Sequence, residues 1–386
     1  MKLTKRALAV VLAVIMLTAA FSAAYSVSAS DYSLSFNDDG KFRIMIFADS
    51  QDDENLEETT AQLMKEALAA HSPDLVVFLG DNTVAKGYEN QAKAIEAIVT
   101  PCVDAGVPFT LVFGNHDQEQ GVEKEVLLRE YQKYPGCLAY DAVPGLYGCG
   151  NHNLPISASD GSGIAFNLWF VDSGTSVEEA GGYDYVREDQ ISWYKNTAKA
   201  LAALNGGRVV PAISFQHIIV PEVYDALGMI KIPAGLRQWT FDGQAYMPVP
   251  DFGSHTGFVF EPPCPSFING GQFDAWAETG DIIATFYGHD HINSFTTSYK
   301  GIDITTVPTV GCNSYGNELN RGVGLITLDE KDLTAYEYEM LPMYDFALAE
   351  GSEIINCEGS LGKVGYWFMK LFAEIFTKLH GIFRIF

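Results

Sequence analysis

Five short clusters in this chain carry side chains able to hold a cation or move a proton. They are Asp49-Ser50-Gln51, Gly80-Asp81-Asn82, Gly114-Asn115-His116-Asp117, Gln216-His217 and Gly288-His289-Asp290-His291. Asp49, Gln51, Asp81, Asn115, His217, His289 and His291 form a mixed oxygen and imidazole donor set without cysteine, which suits divalent manganese, iron or zinc before magnesium or calcium. These are too many donors for one tetrahedral ion, so two adjacent ions are expected. Paired ions sit about 3.5–4 Å apart and share a carboxylate, and Asp81 is the expected bridge. Singly, an Asp or Asn at a strand end caps a helix or makes a turn. Five such clusters in succession argue for a site. His71, His152, His255 and His380 fall outside the pattern and are expected to be surface or packing residues, with His255 within reach of the pocket from a long loop.

The elements that must position these clusters alternate between β-rich apolar runs and helical patterns, the rhythm of an α/β fold. Strands are predicted over 43–48, 75–79 and 110–113, with helices over 56–70 and 91–104 between them. Further strands are predicted over 165–171, 209–215 and 282–287, and a helix over 188–204. Every cluster follows directly on one of these strands, and in open α/β sheets functional groups gather beyond the carboxyl ends of strands. Runs at 293–298, 302–307, 322–328 and 333–340 read as antiparallel strands completing a second sheet, with turns at Lys300-Gly301 and Glu330-Lys331. Residues 227–271 are rich in Gly, Pro and aromatics without periodicity, as in a lid that shapes a pocket.

Composition sets the outer limits. A formal net charge of −25 argues against a nucleic-acid-binding surface, whose affinity comes from Lys and Arg. Lys2, Lys5 and Arg6 precede an apolar run from Ala7 to Phe21 and small residues at Val27-Ser28-Ala29, the pattern of an export signal cleaved after Ala29. Residues 1–29 are thus read as a signal peptide, 30–345 as the catalytic domain and 346–386 as a tail, giving an extracellular or cell-surface protein. Export makes the six cysteines disulfide candidates, Cys137 with Cys149 the shortest loop, but buried thiols fit equally well.

The order Asp-x-Gln, Gly-Asp-Asn, Gly-Asn-His-Asp, His, Gly-His-Asp-His resembles the signature of calcineurin-like metallophosphoesterases across most of residues 41–330. The strings Gly114 to Glu119, His217 with Pro221-Glu222, and Gly288 to Asn293 are similar to a purple-acid-phosphatase-like branch. The resemblance implies two mixed sheets packed as a sandwich flanked by helices. It also implies that Asp49, Gln51, Asp81 and His291 surround one metal, and Asp81, Asn115, His217 and His289 the other. His116 then becomes the catalytic imidazole that touches substrate together with Asn115, and Asp117 the group that orients its ring. This chain departs from the pattern twice. Gln51 stands where His is usual, a weaker donor, and Val84 stands where purple acid phosphatases carry a Tyr ligand, so no purple chromophore is expected.

The chemistry implied is hydrolysis of a phosphate ester, a monoester before a diester, by water acidified between two cations that also clamp the ester oxygens. The expected partner is a small phosphate ester. At the C-terminus, residues 365–386 place Lys370, Glu374, Lys378 and Arg384 on one helical stripe opposite Trp and Phe. Such a helix fits peripheral contact with a membrane or docking on the protein's own core.

Overall fold

The computed structural model describes residues 33–177, 182–232, 239–241, 244–246, 253–317 and 320–354, with Phe368 and Leu371. The expected signal segment and nearly all of the amphipathic tail lie outside the described residues, as do Cys357 and His380. No described helix is long and apolar enough to cross a membrane.

The chain runs β1 (Lys41–Phe47), α1 (Glu58–His71), β2 (Leu75–Leu79), α2 (Tyr88–Ala105), β3 (Phe109–Val112), α3 (Lys124–Tyr131), β4 (His152–Ser157) and β5 (Ile164–Phe170). The short β6 (Ser176–Val177) and β7 (Gly182–Tyr183) follow, then α4 (Glu188–Leu204), β8 (Ala212–Phe215) and α5 (Val223–Ala226). Within the aperiodic stretch lie β9 (Lys231–Ile232), β10 (Trp239–Phe241), β11 (Gln244–Tyr246) and β12 (His255–Phe258). Last come α6 (Gln272–Thr279), β13 (Ile282–Tyr287), β14 (Ser294–Tyr299), β15 (Ile302–Thr306), β16 (Gly322–Asp329), β17 (Tyr336–Pro342) and α7 (Met343–Ala347).

Two mixed sheets carry the fold, ordered β17-β16-β1-β2-β3 and β12-β14-β15-β13-β8-β5-β4. The strand alternation explains their stacking, because successive side chains point to opposite faces. Leu75, Val77 and Leu79 of β2 and Ile44 and Ile46 of β1 share one buried layer with residues of the other sheet, namely Phe166, Leu168 and Phe170 of β5, Phe215 of β8 and Phe286 of β13. Their alternates, Val76, Phe78, Met45 and Phe47, face outward and pack with Leu63, Ile95 and Leu127 of α1, α2 and α3. Beyond the seven-stranded sheet, Trp169, Tyr287 and Ile304 pack with Trp193 of α4 and Trp276 of α6. The result is the expected sandwich of two mixed sheets between helical layers.

Several expectations are corrected. The four strands after residue 293 do not complete one sheet, since β14 and β15 join β13 whereas β16 and β17 extend the sheet of β1. Nor are all antiparallel, because β15 runs parallel to β13. The expected strand at 209–215 begins only at Ala212, after Pro211, which has no N–H for a ladder. Strand β4 was not anticipated, and it tolerates Pro155 because it is a sheet edge. Packing continues past residue 345, where Phe346 and Ile354 join the outer cluster of the five-stranded sheet. Cys102, Cys137, Cys149 and Cys264 are free thiols, so the Cys137–Cys149 bridge does not form.

Candidate metal centre

Strands β1, β2 and β3 of one sheet and β8 and β13 of the other deliver the five clusters from their carboxyl ends. The backbone bends sharply after β1, β2 and β13. Asp49, Gln51, Asp81 and His289 take φ of 51°, 41°, 48° and 73°. That left-handed region costs a non-glycine residue roughly 1–2 kcal/mol, and such strain concentrates at functional sites. Among the described non-glycine residues only Ser72 and Lys300 share it. Glycines supply the room: a Cβ on Gly114 would stand 2.1 Å from Asp81 Oδ1, and one on Gly288 would stand 2.6 Å from Asp49 Oδ2.

The donor atoms converge in two groups that share Asp81. One ligand atom each from Asp81, His217 and His289 lies within 4.8 Å of the others, and the same holds for Asp49, Asp81 and His291. Asn115 Oδ1, His217 Nε2 and His289 Nε2 are buried and make no hydrogen bond, although His217 Nε2 stands only 3.1 Å from Asp81 Oδ2. Buried polar atoms left without a partner are costly in an apolar interior, and cations offset that cost. Outer partners fix the tautomers: Nδ1 of His217 donates to Leu79 O at 2.9 Å, and Nδ1 of His291 to Tyr315 O at 2.9 Å. Each ring thereby turns Nε2 inward. The residues present fit two divalent ions, with Asp81 common to both.

Electrostatics point the same way. Burial alone would raise the Asp81 carboxyl, but His217, His116 and His289 outweigh it and hold Asp81 well below the usual carboxylate range. Burial opposes charge on His217, yet Asp81 and Asp49 push it up to about 10. Burial, reinforced by His217, pushes His289 down to about 3. For His291, Asp49 overcomes burial and raises the ring. The charge that Asp81 and Asp49 favour on His217 does in the bare protein what a cation does better, so metal loading at this ring must release a proton.

Gln51 is brought to the cluster, but its amide nitrogen donates to Asp81 Oδ2 at 3.1 Å. Holding a cation requires the amide to turn and present Oε1. His116 sits at the mouth of the site, its backbone N–H on Asp81 Oδ1 at 2.8 Å and its Nε2 3.9 Å from Asp81 Oδ2. Asp117 does not orient that ring. Its carboxylate is buried under the turn, accepting the N–H groups of Gly114 at 2.7 Å and Asn82 at 2.9 Å. Burial and then Asp81 push it up to about 7. Glu119 takes the expected role instead, 2.5 Å from His116 Nδ1.

Sequence reasoning also missed the loop between β15 and β16. Gly311 packs where a Cβ would meet Ser50 O at 1.9 Å, and Asn313 Nδ2 donates to Gln51 O at 3.2 Å. Tyr315 lies flat on His291, ring centroids 4.1 Å apart and planes 8° apart. The Gly and Asn turn residues of Gly311-Cys312-Asn313-Ser314-Tyr315-Gly316 were the available signal. Of the other histidines, His152 is buried, His71 packs edge-on to Phe346, and His255 of β12 packs against Phe295 of β14 rather than among the ligands.

A helix-flanked double sheet whose facing strand ends gather carboxylates and imidazoles around a shared Asp is compatible with a dinuclear metal site. The chain belongs to the calcineurin-like phosphoesterase family, whose sequence model matches residues 42–293. It is 28% identical over 328 residues to "Probable inactive purple acid phosphatase 14" of Arabidopsis thaliana, covering 75% of this chain and 76% of that one. It is 28% identical over 293 residues to "Probable inactive purple acid phosphatase 29" of the same plant, covering 70% and 69%. Among solved structures, a dimetal phosphatase from Danio rerio aligns with a TM-score of 0.48 at 13% identity, over 75% of this chain and 93% of that one.

Proposed function

We propose that this chain is an exported phosphoesterase that hydrolyses a small phosphate monoester at a dinuclear divalent-metal site. The observation that carries this reading is the pair of donor groups sharing Asp81, together with the buried, unpartnered side-chain atoms of Asn115, His217 and His289. Asp49, Gln51, Asp81 and His291 would hold one ion, and Asp81, Asn115, His217 and His289 the other. When bound, such a pair supplies charge neutralisation for the phosphoryl oxygens and water acidified towards neutrality. The chain's own residues do the rest. Glu119 accepts from His116 Nδ1, and in the imidazolium form the second proton, on Nε2, can hydrogen-bond the phosphoryl group or pass to the departing oxygen, leaving the neutral ring. Asp117 stiffens the turn that carries Asn115 and His116, so both approach the substrate from fixed positions.

A second reading, a non-catalytic binding protein on this scaffold, is favoured by one observation: Gln51 meets Asp81 through its nitrogen. Metal content and hydrolysis of 4-nitrophenyl phosphate, measured on the parent and on Asp81→Asn, decide between them. Two ions per chain and activity lost with Asp81 support the enzyme. Protein that stays inert and metal-free in manganese, iron or zinc supports the binding protein. Bis(4-nitrophenyl) phosphate, run alongside, separates monoesterase from diesterase, since a diester needs more room behind the leaving group.

A further inference from the structure

Each imidazole of the Gly-His-Asp-His string has a tyrosine against it. Tyr183 meets His289 edge-on at 4.2 Å and 89°, and Tyr315 lies parallel on His291 at 4.1 Å and 8°. They differ in exposure, for Tyr183 is half-buried whereas Tyr315 is 58% exposed. A flat ring has two faces. His291 covers one face of Tyr315, so the exposure belongs to the other face and the edges.

The ring is also held still. Its hydroxyl stands 3.3 Å from both carboxylate oxygens of Glu261, and its carbonyl accepts from His291 Nδ1. The neighbouring Ser314 O accepts from the buried Arg321 at 3.3 Å. An aromatic ring already fixed in place loses little rotamer freedom when it takes a ligand, which makes it an efficient contact surface. A tyrosine that served only to cover His291 would need neither an anchored hydroxyl nor an open face.

We infer that the open face of Tyr315 is a stacking platform for the alcohol part of the substrate, so that the ester cleaved here carries a flat aromatic ring. This rests on the phosphoesterase reading above and names its substrate class. Glu261, whose Oε1 also accepts Ile292 N–H at 3.0 Å, places a carboxylate at the edge of the platform. That charge, with a formal net charge of −25 on the chain, selects a neutral aryl group over one bearing further phosphates.

The test is calorimetric binding of non-hydrolysable phosphonates to the manganese-loaded full chain. The parent should bind phenylphosphonate about tenfold more tightly than methylphosphonate, as stacking of one ring allows. In Tyr315→Leu that ratio should collapse towards one, and in Tyr315→Phe it should persist. A ratio that Tyr315→Leu leaves intact, or a parent that shows no preference, overturns the platform. Cyclohexylphosphonate gives a measurement that needs no variant: it matches phenylphosphonate in bulk but cannot stack, so equal binding by the parent also overturns the inference. If neither phosphonate binds the metal-loaded protein, the phosphoesterase reading itself fails and the platform falls with it. Binding without ring preference removes the platform alone.

Discussion

Glu119 Oε2 stands 2.5 Å from His116 Nδ1, three residues along the turn that follows β3. The nitrogen donates to the carboxylate, which fixes the ring with Nε2 towards Asp81. A positioned imidazole contributes about 10²–10⁴-fold to proton transfer, so His116→Ala should lower kcat within that range. Glu119→Ala should lower it by about 10–100-fold, as removing an outer hydrogen-bond partner does, with metal content retained in both. A Glu119→Ala enzyme with the parent's kcat would show that the ring needs no such partner.

Gly114 and Gly87 make a matched pair for testing why glycine stands in the motif. A Cβ on Gly114 meets Asp81 N at 2.4 Å as well as Oδ1, and backbone cannot move aside cheaply. Gly87 has φ 75° with nothing within 4 Å of its Cβ position. With ψ at 160°, Gly87→Ala should therefore cost only backbone strain, about 1–3 kcal/mol, and keep full metal stoichiometry. Gly114→Ala should lose metal. Equal metal content in the two variants, read by elemental analysis, would refute the close-fit argument.

The strand ends bearing Asp49, Asp81, Asn115, His217 and His289 were legible because each is a local event: an apolar β-rich run that stops at a polar cluster. The two-sheet sandwich followed from the resemblance, and the alternation of β2 between Val76 and Val77 shows how one continuous apolar run serves two cores at once. What escaped depends on contacts far apart in sequence. Tyr315 matters because the fold sets its ring on His291, 24 residues away, and no period or spacing announces that. Asp117 and Glu119 both stand within three residues of His116 in the sequence. Only the direction of the turn, which buries Asp117 beneath its own backbone, decides which carboxylate reaches the imidazole.

Chelation should destabilise the protein measurably. Without cations, Asp49 and Asp81 remain buried with only imidazoles to balance them. A ligand at about a thousand times its Kd contributes about 4 kcal/mol to folding, which translates into a Tm about 5–10 °C lower on chelation in a chain of this size. In Asp81→Asn the bridging charge is absent, and the difference between chelated and manganese-loaded protein should shrink towards zero. A chelated parent that melts with the loaded one in differential scanning fluorimetry would mean that the donors hold no ion.

His152 should act as an acid-sensitive fastener between the two sheets. It starts β4, at one edge of the seven-stranded sheet, and its Nε2 accepts from the hydroxyl of Thr110 in β3, the edge of the other, at 2.7 Å. Nδ1 donates to Gly150 O at 2.7 Å, so the fitting form is neutral. Burial pushes its pKa down to about 4. An unfolded histidine titrates near 6.5. Its contribution is thus fully present above about pH 6.5, is lost as pH falls towards 4, and amounts to roughly 3 kcal/mol across that window. His152→Gln, which cannot titrate, should be less stable than the parent at pH 7, and the gap should narrow as the pH is lowered. Urea denaturation of both at pH 7, 6, 5 and 4 measures this. Parallel stability curves would show that the proton enters without disturbing the junction, and the coupling between β3 and β4 would then rest on packing of the ring against Phe170 rather than on its charge state.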